Sequence, residues 1–109
     1  MTDKKLGKIT AIKFGFGGYQ DAMFGVTVSM DGAGWGTVDF RGTWADPPSS
    51  GAKWTAEDQA VKFAEVTQWI MGLLRGAKVF ELNKLVGIPV EVEFVDSTLK
   101  NWRILQEVI

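Results

Sequence analysis

The first part of the chain alternates apolar and polar positions with the period of a β-strand. Successive side chains of a strand point to opposite faces, so residues 8–16 and 22–30 each predict a strand with one apolar face. Gly17 and Gly18 lie between them and permit the turn that antiparallel pairing requires. These faces carry Thr10, Ile12, Phe14 and Phe16 in the first strand and Ala22, Phe24, Val26, Val28 and Met30 in the second.

A third strand is predicted from Trp35 to Trp44, after a turn signal at residues 31–34. Short connections between consecutive strands favour an antiparallel meander. The proline-containing segment 46–53 then predicts a loop. The third strand has an apolar face of Val38, Phe40 and Trp44, and a more polar face of Trp35, Thr37, Asp39, Arg41 and Thr43.

A helix is predicted to begin at Thr55, whose hydroxyl can cap the first turn. Glu57 and Asp58 complement the positive end of the helix dipole, and Gly76 is a typical stop signal. A broad apolar stripe indicates that this helix packs across the sheet. The stripe consists of Ala60, Phe63, Ala64, Thr67, Ile70, Met71 and Leu74.

The last predicted element is a hairpin. Residues 90–95 alternate as a strand, residues 96–98 form a turn, and residues 99–108 return as the partner strand. An irregularity is expected near Lys100 because the alternation there is imperfect. We therefore predict one α+β domain over residues 1–109 in the order β-β-β-α-β-β, with an antiparallel meander, an amphipathic helix packed on the sheet and a C-terminal hairpin.

Composition narrows the classes of function. The 109 residues are 46% apolar and 23% charged, which is typical of one globular domain. A net charge of -1 disfavours nucleic acid as a partner, because phosphate neutralisation usually needs a basic excess. No uncharged run is longer than the nine residues of 66–74, which is far shorter than the ~20 residues that cross a bilayer. We expect a cytoplasmic protein without a membrane partner.

Cysteine and histidine are both absent. This excludes disulfides, thiolate nucleophiles and zinc sites built on sulfur, and it removes the commonest general base and metal ligand. We predict a non-enzymatic protein without a cofactor or a metal site. An enzyme would have to bring a carboxylate pair together in a shielded pocket, and Asp21 and Asp39 are the pair to examine.

The segment FGFGGYQDAMFG, residues 14–25, is dense in glycine and aromatic residues. It does not fit a dinucleotide-binding loop, because Gln20 stands where the third glycine is needed, and no Gly-Lys-Ser/Thr motif is present. One interpretation is structural, with glycines relieving twist while phenylalanine rings fill the core. The tip can also display binding groups, and its candidate residues are Gly17, Gly18, Tyr19, Gln20 and Asp21.

A second candidate surface is the polar face of the third strand, with Trp35, Asp39 and Arg41, and with Trp44 nearby. A tryptophan beside an arginine can hold a flat, anionic or aromatic partner by stacking and bidentate hydrogen bonds. Alternatively, Asp39 and Arg41 pair with each other. Aromatic rings on a sheet also suit single-stranded nucleic acid, but the absence of a lysine stripe argues against that ligand.

Five segments of the chain together resemble a family of small proteins encoded by tailed phages and prophages. They are FGFGGYQDAMFG, GWGTVDFRGTWA, KWTAEDQ, LLRGAKV and LVGIPVEVEFVDSTLKNWRILQEVI. The resemblance spans nearly the whole chain and implies an origin in a phage or prophage and a bacterial cytoplasm. It supplies no catalytic residues.

We therefore expect a phage accessory protein that binds a host protein or a small ligand, in host takeover or counter-defence. The alternative is a single-stranded nucleic-acid-binding protein of phage replication or recombination. Exposed rings and an apolar C-terminal strand, residues 104–109, would also let two copies pair as a homodimer. The partner, the oligomeric state and the strand order are left open.

Overall fold

A computed structural model of the chain describes residues 2–109 and confirms the predicted α+β order of elements. The strands form one antiparallel sheet in the order β3-β2-β1-β4-β5, with the helix packed on it. None of the helices in residues 2–109 has the length and apolar character needed to span a membrane. The elements are β1 (Thr2–Gly17), β2 (Met23–Gly32), β3 (Trp35–Trp44), α1 (Ala56–Ala77), β4 (Pro89–Val95) and β5 (Thr98–Ile104).

The central strand β1 is 16 residues long and is shared between two neighbours. Its first half, from Thr2 to Lys8, pairs with β4, and its second half, from Lys8 to Gly17, pairs with β2. A register shift between Ile9 and Ala11 separates the two halves. The prediction that this strand begins at Lys8 is wrong, because the partner of its first half lies near the other end of the chain.

The sheet curls so that its two edge strands, β3 and β5, approach each other. The indole Nε1 of Trp102 on β5 donates to Asp39 Oδ2 on β3 at 2.7 Å. The ring of Trp35 on β3 meets Phe94 on β4 edge-on, with centroids 5.6 Å apart. The enclosed core consists of Ile9, Val26, Val28, Met30, Val66, Leu73, Ala77, Leu85, Val90, Val92 and Ile104.

Helix α1 begins with the predicted cap. Thr55 Oγ1 accepts from the Asp58 backbone N–H at 3.1 Å, and Asp58 Oδ2 accepts from the Thr55 N–H at 2.8 Å. The buried residues of the helix are Val66, Leu73 and Ala77. The buried side of α1 is therefore rotated about the helix axis relative to the predicted stripe, and Ala64 and Met71 are exposed. The observed rotation places Trp69 against Trp102 of β5.

The C-terminal hairpin has the predicted turn at Asp96 and Ser97, which adopt φ of 51° and 68°. Phe94 lies opposite Leu99, whereas Glu93 lies opposite Asn101, so Lys100 is the extra residue that the sequence predicted. Strand β5 ends at Ile104. Residues 106–108 form a 3₁₀ turn, so the prediction of an apolar strand over residues 104–109 is wrong. Arg103 holds this turn through two hydrogen bonds to Glu107, at 3.0 and 2.9 Å.

Candidate functional site

The face of β3 that carries Asp39 and Arg41 turns toward α1 and β5. Asp39 lies opposite the buried Val28, and antiparallel partners share a face of the sheet. The Arg41 guanidinium lies 4.3 Å from the centroid of the Trp69 ring on α1. The predicted pairing of these two residues is confirmed, since Arg41 Nε donates to Asp39 Oδ2 at 3.2 Å. That this face binds a partner stays a prediction.

Four side chains from three elements form one cluster between β3, α1 and β5. Asp39 accepts hydrogen bonds from both Arg41 and Trp102, and its side chain is only 17% exposed. The rings of Trp69 and Trp102 meet edge-on with centroids 6.0 Å apart. The Asp39 carboxylate, although mostly removed from solvent, thus has a cationic partner and two hydrogen-bond donors. These contacts give Asp39 and Arg41 a structural role at the closure of the sheet.

The opposite face of β1, β2 and β3 points away from α1 and carries a different set of side chains. Cross-strand pairing arranges them in rows, because residues directly opposite each other lie side by side. We call this surface, together with Tyr19 at its end, the outer platform. Its rows are Lys13–Thr27–Phe40, Gly15–Gly25–Gly42 and Gly17–Met23–Trp44.

The glycine row of the outer platform lets the strands and one ring approach closely. A Cβ atom at Gly25 would collide with the backbone carbonyl oxygen of Arg41. The Phe40 ring comes within 2.8 Å of the position that a Cβ of Gly42 would take, and within 3.3 Å of that of Gly17. Phe40 therefore lies over bare backbone and stays half-buried. The predicted candidate Gly17 is buried beneath it.

The tip between β1 and β2 is a short 3₁₀ turn, from Tyr19 to Asp21. Gly18, Gln20 and Asp21 adopt positive φ values of 67°, 52° and 54°. Gly18 packs against Met23, whereas Tyr19, Gln20 and Asp21 are exposed. A hydrogen bond from the Ala45 N–H to the Ala22 carbonyl, at 3.1 Å, ties the end of β3 to this tip.

Tyr19 and Trp44 form an aromatic pair at the end of the outer platform. Their ring centroids are 6.4 Å apart in an edge-on arrangement. Tyr19 is 67% exposed and Trp44 is 36% exposed. The structure thus brings together two predicted candidates, one from the tip between β1 and β2 and one from the end of β3. It adds Phe40 and Lys13, which the sequence analysis did not select. The repeated glycines on one face of three strands were the available signal.

Charge is unevenly distributed around the outer platform. Lys13 is its one charged residue, and Lys8 lies farther along β1 on the same face, opposite Asp31. The carboxylates Glu91 and Glu93 lie on β4, in the other half of the sheet. Asp31 opposite Lys8 and the exposed Asp21 at the tip offset these two lysines, so the surface around the outer platform has no basic excess.

The remaining candidates lie elsewhere. Trp35 lines a cavity of about 650 Å³ near the start of β1, together with Asp3, Lys5, Phe94 and Ser97. Asp21 is at the exposed tip, while Asp39 is in the cluster with Trp102, so this carboxylate pair occupies two different parts of the molecule. Residues 2–109 contain no group of three or more acidic side chains placed to hold a metal ion.

Comparison with known proteins identifies no relative of the chain. No protein-family model matches it, and no curated protein or solved structure is significantly similar. The candidate site is therefore defined by the geometry of the outer platform.

Proposed function

We propose that the protein is a non-enzymatic binding protein whose outer platform takes single-stranded nucleic acid. The observation that carries this proposal is the Phe40 ring lying on bare glycine backbone, with Trp44 and Tyr19 along the platform and Lys13 beside it. Bases of any sequence stack on such rings, while a lysine contacts the phosphate backbone.

The connectivity of the sheet supports the same ligand class. A partly open, five-stranded barrel of the oligonucleotide/oligosaccharide-binding type shares this order of elements, and it binds its ligands on the face of its second and third strands. Here that face is the outer platform, and the edge strands meet through Trp102 and Asp39. The parallel is one of architecture, so the argument for function stays with the residues of the site.

The chemistry of the platform sets the expected strength of binding. Each base stacked on an aromatic side chain contributes about 1–3 kcal/mol. Lys13 lies opposite Thr27 and is the one cation of the outer platform, whereas Lys8 farther along β1 lies opposite Asp31. Neutralising one phosphate of a single strand gives a slope of about -0.7 for the logarithm of affinity against the logarithm of salt concentration. Binding is therefore dominated by stacking and only weakly dependent on salt.

Fluorescence anisotropy with a labelled twenty-nucleotide thymidine oligomer at low salt tests the proposal. We expect Trp44→Ala and Tyr19→Ala each to weaken binding by about 5- to 150-fold, as the loss of one stacked base requires. Phe80→Ala is the matched control, because Phe80 is 97% exposed and lies outside the platform. No binding by the parent chain, or an equal loss in the control, contradicts the proposal.

A host protein or small ligand is the second candidate partner, and the exposed rings of Tyr19 and Trp44 favour it as well. The chain resembles phage and prophage proteins. In such a protein, nucleic-acid binding would serve phage replication or recombination, whereas binding of a host protein would serve host takeover or counter-defence. Immobilised parent chain and its Trp44→Ala variant distinguish them. A host protein retained only by the parent chain, without oligonucleotide binding, would favour the second candidate.

A further inference from the structure

The second half of β1 has one open edge. On that side β4 pairs only with residues 2–8 of β1. The pairing ends with hydrogen bonds from the Ile9 N–H to the Ile88 carbonyl at 3.0 Å and from the Gly87 N–H to the Ile9 carbonyl at 2.7 Å. In the part of the chain that the structure describes, no strand pairs with this edge of β1 beyond Ile9.

The backbone groups that this edge displays follow from the register. The two-residue turn between β2 and β3 makes Gly32 and Trp35 a backbone hydrogen-bonded pair. From there, every second residue of β2 forms its backbone hydrogen bonds with β3, and the residues between them form theirs with β1. By this alternation Lys13 and Gly15 bond to β2. Ile12, Phe14 and Phe16 therefore direct their N–H and C=O groups to the open edge.

The side chains of the same residues form an apolar patch beside the edge. Phe14 and Phe16 each meet Phe24 edge-on with ring centroids 5.3 Å apart, and Phe24 meets Phe63 of α1 at 6.4 Å. Phe14 and Phe16 nevertheless remain 54% and 58% exposed. An open strand edge with exposed rings is a site for pairing with another strand.

We propose that this edge is covered by the same edge of a second copy of the chain, which makes the protein a two-fold symmetric dimer with a sheet that continues through β1. Phe14 lies on the axis, opposite the partner subunit's Phe14. Ile12 then lies opposite the partner subunit's Phe16, and all three outward-facing residues of each copy exchange backbone hydrogen bonds. This dimer does not depend on which ligand the outer platform binds.

Self-complementarity is what selects a second copy as the occupant. In this register apolar side chains meet apolar side chains on the α1 side of the sheet. On the other side Lys13 lies opposite the partner subunit's Gly15, so the two lysines are not directly opposed. A register centred on Lys13 would oppose two like charges, which is unfavourable. The two outer platforms then lie on one side of a continuous sheet.

Single cysteines test the register, because the chain has none of its own. Directly opposed residues of a hydrogen-bonded antiparallel pair have Cα atoms about 5.5 Å apart, within the range that a disulfide spans. We expect oxidised Phe14→Cys to form a covalent dimer. Ile12→Cys and Phe16→Cys should each stay uncrosslinked alone and crosslink when mixed. Efficient crosslinking of Ile12→Cys alone would overturn this register.

Sedimentation equilibrium tests the dimer without cysteine. Phe14→Lys places like charges on the axis, and we expect it to raise the dimer dissociation constant at least tenfold while the circular dichroism spectrum is unchanged. Val38→Lys is the matched control, since Val38 is 58% exposed on β3. A parent chain that remains monomeric at high concentration overturns the proposal. This holds also where a peptide of another protein binds at this edge.

Discussion

Trp102 donates its indole N–H to the Asp39 carboxylate at 2.7 Å and so joins the two edge strands of the sheet. Asp39 also accepts from Arg41 at 3.2 Å, so Trp102→Phe removes one of two donors from a charged, mostly buried group. We expect Trp102→Phe to lower the free energy of unfolding by about 1.5–3 kcal/mol, measured by urea denaturation at neutral pH.

A double-mutant cycle separates this hydrogen bond from the packing of the indole ring. Asp39→Asn is combined with Trp102→Phe, and Trp54→Phe serves as the control for a tryptophan outside the cluster. We expect a coupling energy of at least about 0.5 kcal/mol between residues 39 and 102. Strictly additive effects would show that the bond does not contribute to closure of the sheet.

Two glycines give opposite expectations for the same substitution. Gly25→Ala places a methyl group against the Arg41 carbonyl oxygen, and we expect a loss of about 1–3 kcal/mol. Gly72 lies within α1, and a Cβ there meets nothing within 4 Å. Gly72→Ala should therefore raise the free energy of unfolding by about 0.5–1 kcal/mol. Thermal unfolding of both variants checks the pair, and a Gly25→Ala protein as stable as the parent would refute the close strand approach.

The capping box of α1 is expected to matter to stability. Thr55→Ala removes the acceptor of the Asp58 N–H, and we expect it to cost about 1 kcal/mol. Thr55→Ser keeps the hydroxyl and should restore most of the loss. Gln68→Ala, at an exposed position of the helix, is the control and should change stability by less than about 0.5 kcal/mol. An equal cost for Thr55→Ala and Thr55→Ser in chemical denaturation would argue against the cap.

Glu107 should titrate well below its usual range. The side-chain hydrogen bonds from Arg103 lower the pKa of Glu107 from 4.5 to about 2. Because the folded pKa is depressed, the associated stability is present above pH 4.5 and is lost as the pH falls toward 2. Carboxyl-carbon NMR titration measures this pKa directly. Arg103→Gln should return it toward 4.5, whereas Arg75→Gln should not move it.

The local sequence pattern was sufficient to predict the order of the elements, the helix cap and the extra residue at Lys100. It was insufficient for the first half of β1, whose partner strand is remote in sequence. It also misled for β3, because its inward face holds Asp39 and Arg41 while Phe40 lies outside. Alternation alone does not distinguish a solvent-exposed polar face from an inward face whose charged residues pair with each other and with a tryptophan.

The candidate site was predictable only in part. Tyr19 and Trp44 were selected from the sequence, and the structure brings their rings into contact. Phe40 and Lys13 were missed because their neighbours on the outer platform come from three strands. Their proximity depends on the pairing of Gly15, Gly25 and Gly42 across the sheet.

The division of β1 between two partners also determines when the chain can finish folding. Residues 2–8 leave the ribosome long before their partner β4, which spans Pro89–Val95. The hairpin of β1 and β2 can form early, whereas closure of the sheet waits until β4 and β5 have been synthesised. Until then, residues 2–8 remain exposed to chaperones and proteases.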